Sequence, residues 1–189
     1  MKKVLLLSMS LMIIGLMTSC SSGSSKGNSK KMETASYSYA GFTVSFTHPE
    51  GFFTRSEDKN DFVFSQRDGV AFVGEEFTMQ VAISNLDYPS FQVYKETLIS
   101  QQFAVVDIKD SSIEGFGFSR YGQPAHTCFF PVGDKMRVAL RFFPNEYRHP
   151  TIEEQNNRET AAELKKAADG LFQSEVVQNI LRSVKVTKN

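Results

Sequence analysis

The sequence predicts an α+β fold in which a mostly antiparallel sheet is flanked by helices. Three observations support this class. Several segments alternate apolar and polar residues with the period of a strand, and short turn signals separate most of them. Two regions instead repeat apolar residues at helical spacing, one in the middle of the chain and one at its end. Helices in those places would cover the faces of the sheet.

The first predicted strands lie between Phe42 and Ser84. Apolar residues alternate from Phe42 to Phe46 and the turn residues of 48–51 stop the strand, while 61–66 repeats the alternation. The clearest strand is 77–84, with Phe77, Met79, Val81 and Ile83 on one face and Thr78, Gln80, Ala82 and Ser84 on the other.

A helix is predicted next, because Ser90 is a suitable N-cap and apolar residues recur at helical spacing to about 102. Strands are predicted again at 104–109 and 113–120. The second contains Gly115 and Gly117, which indicate a bulge or a close approach of another backbone.

The segments 125–132 and 135–143 are predicted to form a hairpin, with Gly133 and Asp134 as a two-residue turn. Such a turn would pair Phe130 with Arg137. This register places five side chains on one side of the sheet: His126, Cys128, Phe130, Arg137 and Arg141.

The C-terminal part is predicted to be helical. Thr151 and Glu154 match a capping box, and the helix is expected to run to Asp169, with Gly170 as its stop. Ser174 opens a last helix, and a short strand is predicted at 185–187.

The first twenty residues indicate export. Lys2 and Lys3 precede an apolar run, 4–17, that is shorter than the roughly 20 residues of a membrane span. With Cys20 at the cut, residues 16–20 resemble the lipobox of a bacterial lipoprotein. The resemblance implies a diacylated Cys20 that anchors the chain in a membrane. By similarity to enterobacterial sorting, Ser21 favours the outer over the inner membrane, with the domain in the periplasm or at the cell surface.

Three regions follow from this interpretation: a signal peptide at 1–19, the lipidated cysteine with a flexible Ser, Gly and Lys-rich tether at 20–35, and one α+β domain at 36–189. The full chain has 21 basic and 21 acidic residues, so removing Lys2 and Lys3 leaves a small acidic excess. That balance argues against nucleic acid as a partner. Cys128 then has no cysteine partner within the chain, which predicts no internal disulfide.

Two stretches resemble PsbP-like (DcrB-like) domains: Phe42-Thr-Val-Ser-Phe46, followed by Pro49 and Phe52, and the closing segment 180–186. The resemblance implies an α/β/α sandwich. It also implies a small binding or assembly protein, and it brings no catalytic motif.

One chemical hypothesis concerns His126 and Cys128, which share a strand face, so the imidazole could activate the thiol as a nucleophile. The alternative is that Cys128 is a buried small apolar residue. His48, His126 and His149 could supply zinc ligands, but their scattered positions favour no metal site, and no cofactor is predicted.

Arg137 and Arg141, expected beside Phe130 and His126, form the surface hypothesis. Arginines next to an aromatic ring can bind a carboxylate, a phosphate or an acidic patch of a partner. The alternative is that their stems cover a sheet face under a helix and their heads pair with acidic residues.

Together these observations predict a lipid-anchored, non-catalytic envelope protein that binds or assembles with another envelope protein or a small ligand. A carrier of a small apolar ligand and a thiol-dependent enzyme using Cys128 and His126 are the alternatives.

Overall fold

The structure is a computed structural model, and it describes residues 31–57, 69–145 and 150–189. Within these residues the chain is α+β, as predicted, with antiparallel sheets flanked by helices. The elements in chain order are β1 (Met32–Tyr39), β2 (Phe42–Pro49), β3 (Thr54–Ser56), β4 (Val70–Val73), β5 (Phe77–Asn85), α1 (Phe91–Ser100), β6 (Val106–Ile108), β7 (Gly115–Ser119), β8 (His126–Val132), β9 (Met136–Pro144), α2 (Ile152–Asn156), α3 (Arg158–Phe172), α4 (Glu175–Ser183) and β10 (Lys185–Lys188).

The described strands form two antiparallel sheets. One has three strands in the order β1-β2-β10, and the other has seven in the order β3-β4-β5-β9-β8-β7-β6. Strand β1 begins at Met32, four residues before the predicted onset of order at Ser36. The predicted strand at 61–66 and Cys20, the predicted lipidation site, lie outside the described residues.

The seven-stranded sheet has two differently covered faces. One, which we call the core face, packs against the three-stranded sheet and against α4, and it carries the larger apolar cluster, including Met79 and Leu140. The other, which we call the α1 face, carries Phe116 and Phe129 in a smaller cluster beneath α1. Removing these apolar side chains from water is the main contribution to stability.

The helix N-termini follow the local signals. Ser90 and Ser174 accept bonds from the backbone N–H of Val93 and Val177, and Thr151 with Glu154 forms the predicted capping box. The predicted stop at Gly170 is wrong, because α3 continues to Phe172. Gly costs about 1 kcal/mol in a helix, and the continuation packs Leu171 and Phe172 against the core, which offsets that cost.

The predicted register of the β8–β9 hairpin is also wrong, by one residue. The turn contains three residues, 133–135, with Gly133 at a positive φ of 54°. Phe130 therefore pairs with Val138 instead of Arg137, and Thr127 pairs with Arg141. Because side chains alternate along a strand, a one-residue slip moves the side chains of β9 to the other face.

Candidate functional site

The four predicted binding residues lie on opposite faces of the seven-stranded sheet. His126 and Phe130 pair with Phe142 and Val138 and belong to the core face, whereas Arg137 and Arg141 are on the α1 face. The expectation that they share one surface is therefore wrong. The turn has three residues instead of two, and this moves the arginines of β9 to the other face. Phe130 is completely buried in the core.

His126 is buried in the core layer. Its ring stacks on that of Phe172, with centroids 3.8 Å apart. Its Nδ1 lies 3.7 Å from Oδ1 of Asp169, too far for a hydrogen bond. Burial lowers the pKa of His126 to about 4, and the opposing effect of the Asp169 charge is smaller. The imidazole is therefore neutral at neutral pH.

Asp169 receives its hydrogen bonds from other groups. Ser119 Oγ donates at 2.6 Å and Lys165 Nζ at 2.5 Å. Partial burial acts to raise the pKa of Asp169, but these two donors outweigh it, so the pKa is lowered. A carboxylate engaged in this way does not orient the imidazole as the third group of a catalytic triad would.

Cys128 lies in the same layer, and its side chain is fully buried. Burial raises the pKa of the thiol well above its ordinary value, so the nucleophilic thiolate is disfavoured at neutral pH. Because residue 117 on β7 is glycine, the side chains of His126 and Cys128 can pack directly against the β7 backbone. A Cβ there would lie 2.7 Å from Nε2 of His126 and 3.1 Å from Sγ of Cys128. The predicted close approach of another backbone is found at Gly115, where a Cβ would lie 2.5 Å from the carbonyl oxygen of Phe129.

The histidines proposed as zinc ligands are not brought together where they are described. His48 is buried on β2 of the three-stranded sheet, with its ring edge-on to Phe53, whereas His126 is on β8. His149 lies outside the described residues. Among the described residues, no group of three or more His, Cys, Asp or Glu is placed to hold a metal ion.

Helix α1 supplies an aromatic side chain to the arginine-bearing face. The Ser90 cap fixes its start, and Tyr94 and Leu98, four residues apart, form its buried stripe. The Tyr94 ring packs against Tyr88 and edge-on against Phe129, with centroids 4.7 and 5.3 Å apart. This packing sets Tyr94 over the two central strands, β8 and β9.

Arg137 is held between aromatic rings. Its guanidinium carbon lies 4.6 Å from the ring centroid of Tyr94 and 4.9 Å from that of Phe129. Its Nε donates a long hydrogen bond of 3.5 Å to Ser84 Oγ. Its stem does cover the sheet under a helix. Its head contacts rings and a hydroxyl, however, and no carboxylate of the described residues. A guanidinium held in this way is fixed in orientation before any ligand arrives.

Arg141 is the second cation of the same face. Burial lowers its pKa to about 10, and the positive charge of Arg137 adds to this shift. The two cations also influence the Tyr94 hydroxyl, whose pKa is raised by burial and lowered by both arginines, with a net rise. Arg137 contacts the ring of Tyr94 directly, and the charge of Arg141 also acts on the Tyr94 hydroxyl. We call Arg137, Arg141, Tyr94 and Phe129 the arginine–aromatic cluster.

The pattern identified the arginines but not their neighbours. The sequence places Tyr94 in the helix predicted after Ser90, Phe129 in the strand predicted at 125–132, and Gln80 and Ser84 on the polar face of β5. In the structure Gln80 and Ser84 lie directly across from Arg141 and Arg137. Only the pairing of β5 with β9, which no local pattern specifies, could have indicated this neighbourhood.

Comparison with known proteins gave no family model, no curated protein and no solved structure that matches the chain. Within the described ranges, none of the helices combines the length and apolar character needed to cross a membrane.

Proposed function

We propose that the protein is a lipid-anchored, non-catalytic binding or assembly module of the bacterial envelope. The anchor rests on the signal pattern that ends at Cys20. The binding role rests on the arginine–aromatic cluster of the α1 face. We also propose the PsbP-like relationship, which rests on the residue patterns at 42–52 and 180–186.

The observation that carries the binding role is the Arg137 guanidinium clamped by Tyr94 and Phe129. A guanidinium does not give up its proton near neutral pH, so it is poorly suited to acid–base catalysis. Its planar fork matches carboxylate and phosphate oxygens, and the clamping rings reduce the entropy lost on binding. The cluster is therefore suited to recognition.

The thiol-dependent alternative receives no support from the described geometry. Cys128 is buried with a raised pKa, and His126 is neutral and makes no hydrogen bond to it. Alkylation measured at graded pH distinguishes the two functions. We expect Cys128 to react only after unfolding, and rapid labelling of the folded protein would favour the enzyme.

Membrane anchoring is tested by the Cys20→Ser variant. We expect wild-type protein to sediment with membranes and to partition into detergent, and the variant to lose both properties because it carries no acyl chains. An equally charged reference is Ser21→Thr, which leaves the acylated residue in place. Unchanged sedimentation of Cys20→Ser would contradict the anchor.

Partner binding is tested by crosslinking in intact cells, followed by purification from detergent-solubilised envelopes. Arg137→Gln should lose the crosslinked species. Arg182→Gln serves as the control, because it removes the same charge from an exposed position on α4. Equal crosslinking by the two variants would place the interaction elsewhere on the molecule.

A further inference from the structure

Gln80 is a buried amide for which the described residues supply no hydrogen-bond partner. It lies in the middle of β5 and is 1% exposed. Within the part of the chain that the structure describes, neither its Nε2 nor its Oε1 makes a hydrogen bond. Leaving a buried polar group unsatisfied is costly, and native proteins rarely do so without a reason. A ligand that supplies the missing partners is one such reason.

The position of Gln80 links it to the arginine–aromatic cluster. It is the register partner of Arg141, so the two side chains lie side by side on the α1 face. One pair further along, Ala82 faces Ala139, and these two methyl groups lie between the Gln80–Arg141 pair and Arg137. Both alanines are buried, at 3% and 1% exposed, and no bulky side chain of β5 or β9 stands between the polar groups.

Two cationic side chains, Arg137 and Arg141, lie on this face. Burial is the main cause of the lowered pKa of Arg141, the positive charge of Arg137 adds to it, and Tyr94 is neutral. Both arginines are only partly buried, so part of each side chain is in contact with solvent. Binding of a negative group would relieve the repulsion between the two cations.

We propose that Gln80, Arg137 and Arg141 form a binding site for an oxyanion group, a carboxylate or a phosphate. The two guanidinium groups donate to its oxygens, and Nε2 of Gln80 supplies an uncharged donor at the floor. The Tyr94 hydroxyl completes a set of donors. This inference rests on the proposed binding function and names the chemistry that the module would recognise.

The test uses full-length lipidated protein in neutral detergent micelles. Calorimetric titration and thermal unfolding are compared in sodium phosphate, sodium acetate and sodium chloride at equal ionic strength. We expect phosphate, acetate or both to raise Tm in proportion to the logarithm of concentration once binding saturates, and chloride not to do so. The more effective anion identifies the source of the oxyanion.

Three variants assign that response to the site. Arg137→Gln should raise the dissociation constant for the anion about tenfold, as expected for the loss of a charged hydrogen bond. Arg137→Lys keeps the positive charge but loses the planar guanidinium fork, and should raise the dissociation constant less. Gln80→Leu should melt at the same or a higher temperature without ligand, because it removes the unsatisfied amide, and yet bind the anion more weakly.

A packing role alone for Gln80 would leave anion affinity unchanged in Gln80→Leu, so that result would overturn the inference. A lack of response to phosphate and acetate beyond chloride would overturn it as well. Arg182→Gln, remote on α4, should behave as wild type. Cys20→Ser should bind the anion normally even though it leaves the membrane, so failure of the oxyanion site and failure of the anchor are distinguishable.

Discussion

At the residue scale, His126 couples the stability of the fold to pH. Its pKa is about 4 in the folded protein and 6.5 in an exposed histidine, because burial disfavours the charged ring and Asp169 compensates only in part. Between these values the unfolded chain binds the proton more readily than the folded one. Stability should therefore fall as the pH falls from 6.5 to 4, by up to about 3 kcal/mol in total. Above pH 6.5 His126 is neutral in both the folded and the unfolded protein, so it does not make the stability depend on pH.

Urea unfolding at a series of pH values checks this expectation. The slope of unfolding free energy against pH between 4 and 6.5 should be lower in His126→Leu than in wild type. Asp169→Asn is the control. Because the pKa of Asp169 is lowered in the folded protein, the stability that its carboxylate contributes is lost only as the pH falls below the ordinary pKa of 3.8. This variant should therefore keep the slope. An unchanged slope in His126→Leu would show that other groups titrate in this range.

At the element scale, the junction between α2 and α3 depends on Asn157. Its backbone is extended, at φ −74° and ψ 114°, and its side chain accepts bonds from the N–H groups of Glu159 and Thr160. Asn157→Ala should cost about 1 kcal/mol, because these N–H groups lose their cap. Asn156→Ala makes the same chemical change one residue earlier, at the exposed end of α2. Thermal unfolding compares them, and an equal loss in both would mean that the cap does not stabilise α3.

The elements also show how far the sequence can be interpreted. Caps such as Ser90 and Thr151 are local, since the side chain bonds an N–H three residues away, so they could be predicted. The hairpin register depends on whether the turn after Val132 takes two or three residues. Both are common for a turn that contains glycine, and the choice decides which side of the sheet receives Arg137. The arginines were thus identifiable from the sequence, but their neighbours were not.

Gly170 illustrates the same limit in a helix. Locally it is a good C-terminal stop, but the helix continues because Leu171 and Phe172 gain packing against the core. Gln80 is a third example. The alternation of β5 places it on the polar face, and only the assembled sheet shows that this face is buried as well. What local patterns could not supply in each case was a contact between distant segments.

At the scale of the whole molecule, both sheets share one apolar core, and α4 connects them. Val44 of β2, Ile180 of α4 and Met79 of β5 belong to the same buried cluster. Ile180 is 0% exposed, so Ile180→Ala should lower the unfolding free energy by about 2–5 kcal/mol through lost burial and the cavity that remains. Ile152, which is 79% exposed on α2, provides the matched control, and Ile152→Ala should change stability by less than about 0.5 kcal/mol.

A shared core also predicts a single cooperative transition. Far-UV circular dichroism follows the strands and helices, while near-UV circular dichroism follows the packing of buried tyrosines such as Tyr37 on β1 and Tyr94 on α1. The two signals should lose their native values at the same urea concentration in wild type, and at the same lower concentration in Ile180→Ala. If the transitions separated in the variant, the three-stranded sheet would be able to detach while the seven-stranded sheet stays folded. The two sheets would then be joined by independent contacts instead of one core.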